Sequence, residues 1–252
     1  MELSVLFYSI SATAILLTGI SKSGFGGGLG VMAVPMMSLF VPPQFAAAVM
    51  MPILIAMDIL IVWRFRTTWN RAIVYCLLPA ALLGLFAGSL VFEHMDAHIV
   101  RFMIGVLAAF FVTQFLMNRQ GHDAQNKVPR LTVWAFGALS GFSSYIAHAG
   151  GPPVKGYLLQ HRLDKSWFVG TNTVFFFSLN FIKTIAYGAA GTLTLQSLQT
   201  SLILAPILVL GIFIGTYMHK LISQSVFVNI VYGFLALTAL KLLFDSATVF
   251  FQ

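Results

Sequence analysis

Charge is scarce in this chain. Asp, Glu, Lys and Arg make up 8% of its residues, where a water-soluble domain carries about a quarter. Acids are scarcer still, with 7 Asp and Glu against 14 Lys and Arg. With 59% hydrophobic residues and a mean hydropathy of +0.91, too little polar surface remains to cover a globule in water. The solvent is therefore lipid. Cysteine is almost absent: the single Cys76 excludes an intramolecular disulfide and a multi-cysteine metal site, and reads as a small buried core residue. No basic stretch precedes the first apolar run, 1–17, so no cleavable signal is evident. The net charge of +7 falls in short loops between apolar runs, which makes it a topological signal rather than a nucleic-acid footprint.

What the chain does have is a text written twice. Gly19-Ile20-Ser21-Lys22-Ser23-Gly24-Phe25-Gly26-Gly27-Gly28 is answered by Gly137-Ala138-Leu139-Ser140-Gly141-Phe142-Ser143-Ser144, the two Ser-Gly-Phe triplets standing 117 positions apart. Pro35 falls on Pro152 at the same offset, while Pro79, Gly84 and Gly88 match Pro206, Gly211 and Gly215 at an offset of 127. A break at the same point of two hydrophobic halves is the mark of a duplicated membrane transporter, whose broken helices meet at a site near the bilayer midplane.

The expected fold is all-α and polytopic, with a first repeat over 1–118, a linker over 119–130 and a second repeat over 131–252. Three long apolar segments per half approach the ~20 residues that a ~30 Å hydrocarbon core demands: Pro43–Trp63, Ala72–Phe92 and Ile99–Met117, then Trp167–Tyr187, Ser197–Met218 and Phe227–Phe244. The segments carrying the repeated break are shorter: Leu3–Thr18 and Val31–Val41, then Leu131–Ser140 and Pro153–Arg162. They suggest hairpins that enter and leave by one face, although full spans stay open as the alternative.

Orientation follows from the basic residues. Arg64, Arg66, Arg71, Arg119, Lys127, Arg130, Arg162, Lys165 and Lys220 fall on one side, which the positive-inside rule makes cytoplasmic. Glu2, the Glu93–Asp96 turn and Asp245 fall on the other, with Arg101, Lys183 and Lys241 at span ends. Three crossings per half is an odd number, so the halves are expected to be inverted, with both termini outside. The linker is then cytoplasmic.

The doubled motif resembles the sulfite exporter TauE/SafE family of bacterial anion permeases over both halves and the connecting loop. GISKSGFGGGLGVMAVP is the more specific copy. GALSGFSSYIAHAGGPPVKGYLL departs from it by placing Ser143, Ser144, Tyr145 and His148 where the first half has glycine or small apolar residues. The resemblance implies a multi-pass protein of the bacterial inner membrane that exports sulfite or an organosulfonate such as sulfoacetate. It also implies a site at the two motifs. The departure in the second copy leaves the anion open.

A small sulfonate needs several hydrogen-bond donors and some positive potential. Gly24, Gly26, Gly27 and Gly28, with Gly141, Gly150 and Gly151, let backbone approach a ligand, and a helix N-terminus there offers free N–H groups. Ser23, Ser140, Ser143 and Ser144 add hydroxyls. The plainer reading is helix packing, for which small residues serve equally well. Lys22 and Lys155 are buried cations beside the two tips, either facing the anion or snorkelling to an interface. His148 is either a donor to the anion or a hydrogen-bonded structural residue. Tyr145 offers a hydroxyl, and Phe25 and Phe142 would wall the cavity. Asp58, inside a span, is expected to pair with a nearby basic group or a Ser or Thr hydroxyl. Pro79, Gly84, Gly88 and their partners read as places of close helix approach.

No cofactor, metal site, catalytic residue or nucleic-acid partner is expected. The partners are a small anion and the bilayer, with a homo-oligomer left open. Two rivals to a secondary transporter remain. An anion channel shares every feature above. An intramembrane hydrolase lacks HExxH and GxSxG, and Ser140 and Ser144 with His148 have no acidic orienter in their segment.

Overall fold

A computed structural model describes residues 3–24, 30–118, 129–161, 163–218, 221 and 223–250. Ten α-helices run through them: α1 (Val5–Gly24), α2 (Ala33–Ser38), α3 (Pro43–Phe65), α4 (Arg71–His94), α5 (Ala97–Asn118), α6 (Arg130–Ala147), α7 (Gly151–Leu159), α8 (Lys165–Ala189), α9 (Leu195–Met218) and α10 (Gln224–Phe250). A single 3-10 turn, Gly30–Met32, leads into α2. The order long, short, long, long, long occurs twice, so α6 to α10 are the counterparts of α1 to α5. Three prolines sit where helices begin, Pro43 in α3 and Pro152 and Pro153 in α7, because the first turn has no use for their missing N–H; Pro52, Pro79 and Pro206 lie inside α3, α4 and α9. The Asn70 side chain caps α4 by accepting from the Ile73 N–H at 3.2 Å, which satisfies one of the unpaired donors of that end.

Packing exchanges counterparts between the halves. α1 lies against α9 while its counterpart α6 lies against α4; α3 meets α8 and α5 meets α10. Glycine makes the first two contacts so close. A side chain at Gly84 would run into the backbone of Ala138, and one at Gly88 into Phe142 and Tyr145. In the other interface, Gly211 meets the Leu16 carbonyl and Gly19, and Gly215 meets Ile20 and Ser23. Small residues four apart let two backbones touch where lipid supplies no hydrophobic drive.

These contacts correct the register of the repeat. Leu16, Gly19 and Ile20 occupy the packing positions of Ala138, Gly141 and Phe142, each 122 positions on rather than 117. The two Ser-Gly-Phe triplets therefore stand at different depths. Ser23 and Gly24 of the first lie at the C-terminal end of α1, Phe25 being outside the described residues, whereas Ser140, Gly141 and Phe142 lie inside α6, which continues to Ala147. The break of the second half is at 148–150. Five residues exceed one helical turn, so the shared triplet marks different places in the two halves.

The break-bearing segments are also longer on their first limb than expected. α1 has 20 residues and α6 has 18, or ~30 and ~27 Å at 1.5 Å per residue; only α2 and α7, at 6 and 9 residues, are short. Among the described residues, six helices are long and apolar enough to cross a membrane: α1, α3, α4, α5, α9 and α10. This makes the chain a multi-pass membrane protein. α8 was expected in that set and is not in it, while α1 is. The reason is polarity: α8 buries Thr171, Asn172, Thr173, Asn180 and Lys183. The outward faces are apolar, with Leu83, Phe86, Leu202, Phe213 and Leu240 exposed. Cys76 belongs to that outward surface on α4 instead of the core. Glu2, Arg119, Lys127, Arg162, Lys220 and all but the last two residues of the linker lie outside the described residues.

Candidate functional site

Two polar clusters meet where the breaks approach α3 and α8. In the first, Lys22 near the end of α1 reaches Asp58 in the middle of α3, with Nζ 2.5 Å from Oδ1. The Asn180 amide of α8 donates to the other carboxylate oxygen at 2.6 Å. Both Asp58 oxygens are therefore engaged, as a buried carboxylate requires.

The second cluster closes the break of the second half. His148 adopts a left-handed backbone, φ 51°, and its N–H and that of Ala149 donate to the carbonyls of Ser144 and Ser143 at 3.1 Å each. Ser140 Oγ donates to the Gly150 carbonyl at 2.8 Å and Ser143 Oγ to Leu139 O at 2.6 Å. Lys183 of α8 then points its ammonium at the end of α6. Its Nζ lies 2.8 Å from Ser144 O, 3.1 Å from Ser144 Oγ and 2.6 Å from His148 Nδ1. Ser144 O thus accepts both the His148 N–H and the ammonium, and a cation at a helix C-terminus meets the negative end of its dipole.

The hydrogen bonds assign the His148 tautomer. Nε2 lies 2.9 Å from the Ala47 carbonyl, which can only accept, so Nε2 carries the proton. Nδ1 is then an acceptor and receives from Lys183. Both ring nitrogens are occupied inside the protein. His148 thus orients Lys183, and its ring has no free donor for an anion.

Between the clusters lies a small cavity of about 30 Å³, room for a water or two. Lys22, Gly30, Val31 and Leu54 line it from the first half; Ser144, His148, Gly151, Phe176 and Asn180 line it from the second. Two pairs of these stand 122 positions apart, the offset that packing sets for α1 and α6: Lys22 with Ser144 and Leu54 with Phe176; the same offset relates Asp58, which holds Lys22 beside the cavity, to Asn180. The last pair bond to each other. The cavity thus sits where the halves exchange.

Of the residues expected at the site, Lys22, Ser144, His148 and Gly151 reach this cavity. Others do different work. Ser23 Oγ donates back to Gly19 O at 2.8 Å, beside Gly215 on α9. Gly141 packs on the backbone of Ala81 and Leu85, and Phe142 presents its backbone to Gly88. Ser140 and Ser143 staple the break, with Gly150 held under Ser140. Tyr145 is buried in an aromatic cluster, its ring centroid 5.6 Å from Phe92 and 4.9 Å from Tyr187. Gly24 ends α1. Lys155 is half-buried on α7, away from the cavity lining. Phe25, Gly26, Gly27 and Gly28 lie outside the described residues.

Lys183 and Asn180 were missed. Lys183 was assigned to a span end, yet it is fully buried. A signal was available: Thr173, Phe176, Asn180, Lys183 and Tyr187 recur at alternating steps of three and four, which places them on one helix face. An ionisable residue on the polar face of an otherwise apolar helix points inward. Arg101, also assigned to a span end, donates to Ser38 O at 3.0 Å and Val41 O at 3.3 Å, closing the C-terminal end of α2.

The family model described as Sulfite exporter TauE/SafE matches residues 11–242. No curated protein and no solved structure matches the chain.

Proposed function

From the premise that this chain belongs to the sulfite exporter TauE/SafE family, whose members move sulfite and related anions across membranes, we propose that it exports a small sulfur-containing anion by alternating access. The substrate is sulfite or an organosulfonate, and the membrane is the bacterial inner membrane. The observation that carries this reading is the cavity at the exchange of the halves, with Lys22 facing it and Lys183 behind it. Two ammoniums in a mostly apolar interior are costly, and an anion repays that cost in electrostatic attraction.

Each helix break contributes in its own way. At the N-terminal turn of α7, Gly151 offers its backbone N–H to the cavity edge, Pro152 and Pro153 after it having none. Ser144 offers its hydroxyl, and Lys22 has two N–H donors beyond the one on Asp58. A cavity this small admits an anion only if the surrounding helices part, which is what alternating access supplies. Organisation as two membrane repeats, 1–118 and 131–252, joined by a cytoplasmic linker over 119–130 with the halves inverted, accounts for the exchanged packing of counterpart helices. The membrane potential does the rest: an interior-negative potential drives an anion outward by ~2.3 kcal/mol per charge per 100 mV.

The test is efflux from proteoliposomes loaded with sulfite or a sulfonate. Efflux is expected to rise with an interior-negative potential and to fall by at least tenfold in Lys22→Ala, with sulfate and acetate as comparison anions. Vesicles that retain sulfite and sulfonates at every potential would sink the proposal. A conductance at channel rates would replace the transporter with a channel.

A further inference from the structure

The charge at this cavity can be counted. Lys22 and Asp58 form one ion pair. Lys183 has no carboxylate within ion-pair distance among the described residues. Its Nζ faces three acceptors, Ser144 O, Ser144 Oγ and His148 Nδ1, which match the three N–H bonds of an ammonium. His148 is neutral because its Nδ1 accepts from the Lys183 ammonium, and Ser144 and Asn180 carry no charge. The C-terminus of α6 and the N-terminus of α7 meet at one break, so their opposite partial charges offset each other. One positive charge is left over.

We infer that the site is matched to a singly charged anion, and that Asp58 is the residue that sets this valence. The inference rests on the reading of this cavity as the substrate site and narrows it. A monoanionic sulfonate or hydrogen sulfite leaves the buried cluster neutral. A dianion leaves it with an uncompensated negative charge in a medium that solvates charge poorly. Asp58 lowers the total from two to one by holding Lys22. Its counterpart Asn180 has nearly the same shape with no charge, so the second half adds nothing to the count. Asp58 is thus a specificity-determining residue rather than a proton carrier.

Isethionate and sulfoacetate make the matched probes. Both are two-carbon sulfonates, one ending in a hydroxyl and the other in a carboxylate. Their affinities are measured by calorimetry on the purified full chain at a pH where both are fully ionised. The wild type is expected to favour isethionate. Asp58→Asn should move the affinity ratio toward sulfoacetate by about tenfold or more, the worth of one charge a few ångströms away at a protein's effective dielectric. Asp58→Glu should restore the wild-type preference. A wild type that favours sulfoacetate overturns the inference with no variant needed. So does a folded Asp58→Asn that binds either probe with the ratio unmoved, and in that case the transport reading survives. A wild type that binds neither probe defeats the substrate site itself.

Discussion

At the cavity, Lys22 of the first half stands where the second half has Ser144, and Asp58 stands where it has Asn180. The frames are alike: Gly19 packs as Gly141 does, and Gly211 receives α1 as Gly84 receives α6. The chemistry is not. The first half supplies an ion pair, and the second supplies neutral groups of similar reach. It then adds Lys183, whose counterpart position in α3 holds Ile61. The breaks differ as well. α2 is buried along its whole length, under α1, α3, α5 and α10. α7 leaves Lys155 and Gly156 only half-covered, and nothing lies within 4 Å of a side chain added at Gly156. A duplicated frame keeps the backbone contacts that every copy needs, while charge, needed once, can reside on one side.

The sharpest way to break this comparison is to discharge the first half. Lys22→Ala strands Asp58 as a buried carboxylate, and thermal or denaturant unfolding in detergent should register a loss of about 3–5 kcal/mol. Adding Asp58→Asn in the same chain should recover most of it. A double variant as unstable as the single one would mean that Lys22 acts through packing.

The likeness of the frames can be tested next. Gly84→Leu and Gly211→Leu each force a side chain into the facing helix, with an expected cost of about 1–3 kcal/mol or more. Similar losses at both positions support equivalent interfaces. A loss at one position only would show that the halves do not share the load.

Lys183→Met asks whether the ammonium behind the cavity acts on the ligand. Anion affinity should fall about tenfold, while Lys183→Arg should keep most of it. Equal affinity in a folded Lys183→Met chain would confine that ammonium to capping α6.

The smallest effect is expected at Ser23→Ala. Its hydroxyl is spent on Gly19 O within its own helix, so stability and affinity should move by no more than about 0.5 kcal/mol. Ser144→Ala, at the cavity, should cost clearly more in affinity. If Ser23→Ala costs as much as Ser144→Ala, the assignment of cavity-facing positions is wrong.

Much of the fold was legible because hydropathy and repetition are local properties of the chain. The long apolar runs of α3, α4, α5, α9 and α10 announce themselves by length, and the close approach of Gly84 and Gly88 to a partner follows from their spacing. The site was less legible. Lys22 beside a glycine run is visible as an intramembrane cation, and of the two partners open to Asp58, a basic group or a Ser or Thr hydroxyl, the structure supplies the first. Lys183 hid behind the assumption that a lysine near the end of a span belongs to the interface. The Ser-Gly-Phe match misled because identical text can sit at different heights of two helices.

By itself, then, the sequence determined that the chain lives in lipid, that it is built twice over, and which family it belongs to. These follow from composition, periodicity and repeated motifs, which need no knowledge of contacts. Only the tertiary structure decided the register of 122 that pairs Lys22 with Ser144 and Asp58 with Asn180, the joining of Lys183 to His148, and the withdrawal of Ser23, Gly141 and Tyr145 into packing. Those depend on how far each helix is turned and slid against partners more than a hundred residues away. A shift of a few residues along a helix rotates a side chain from cavity to interface.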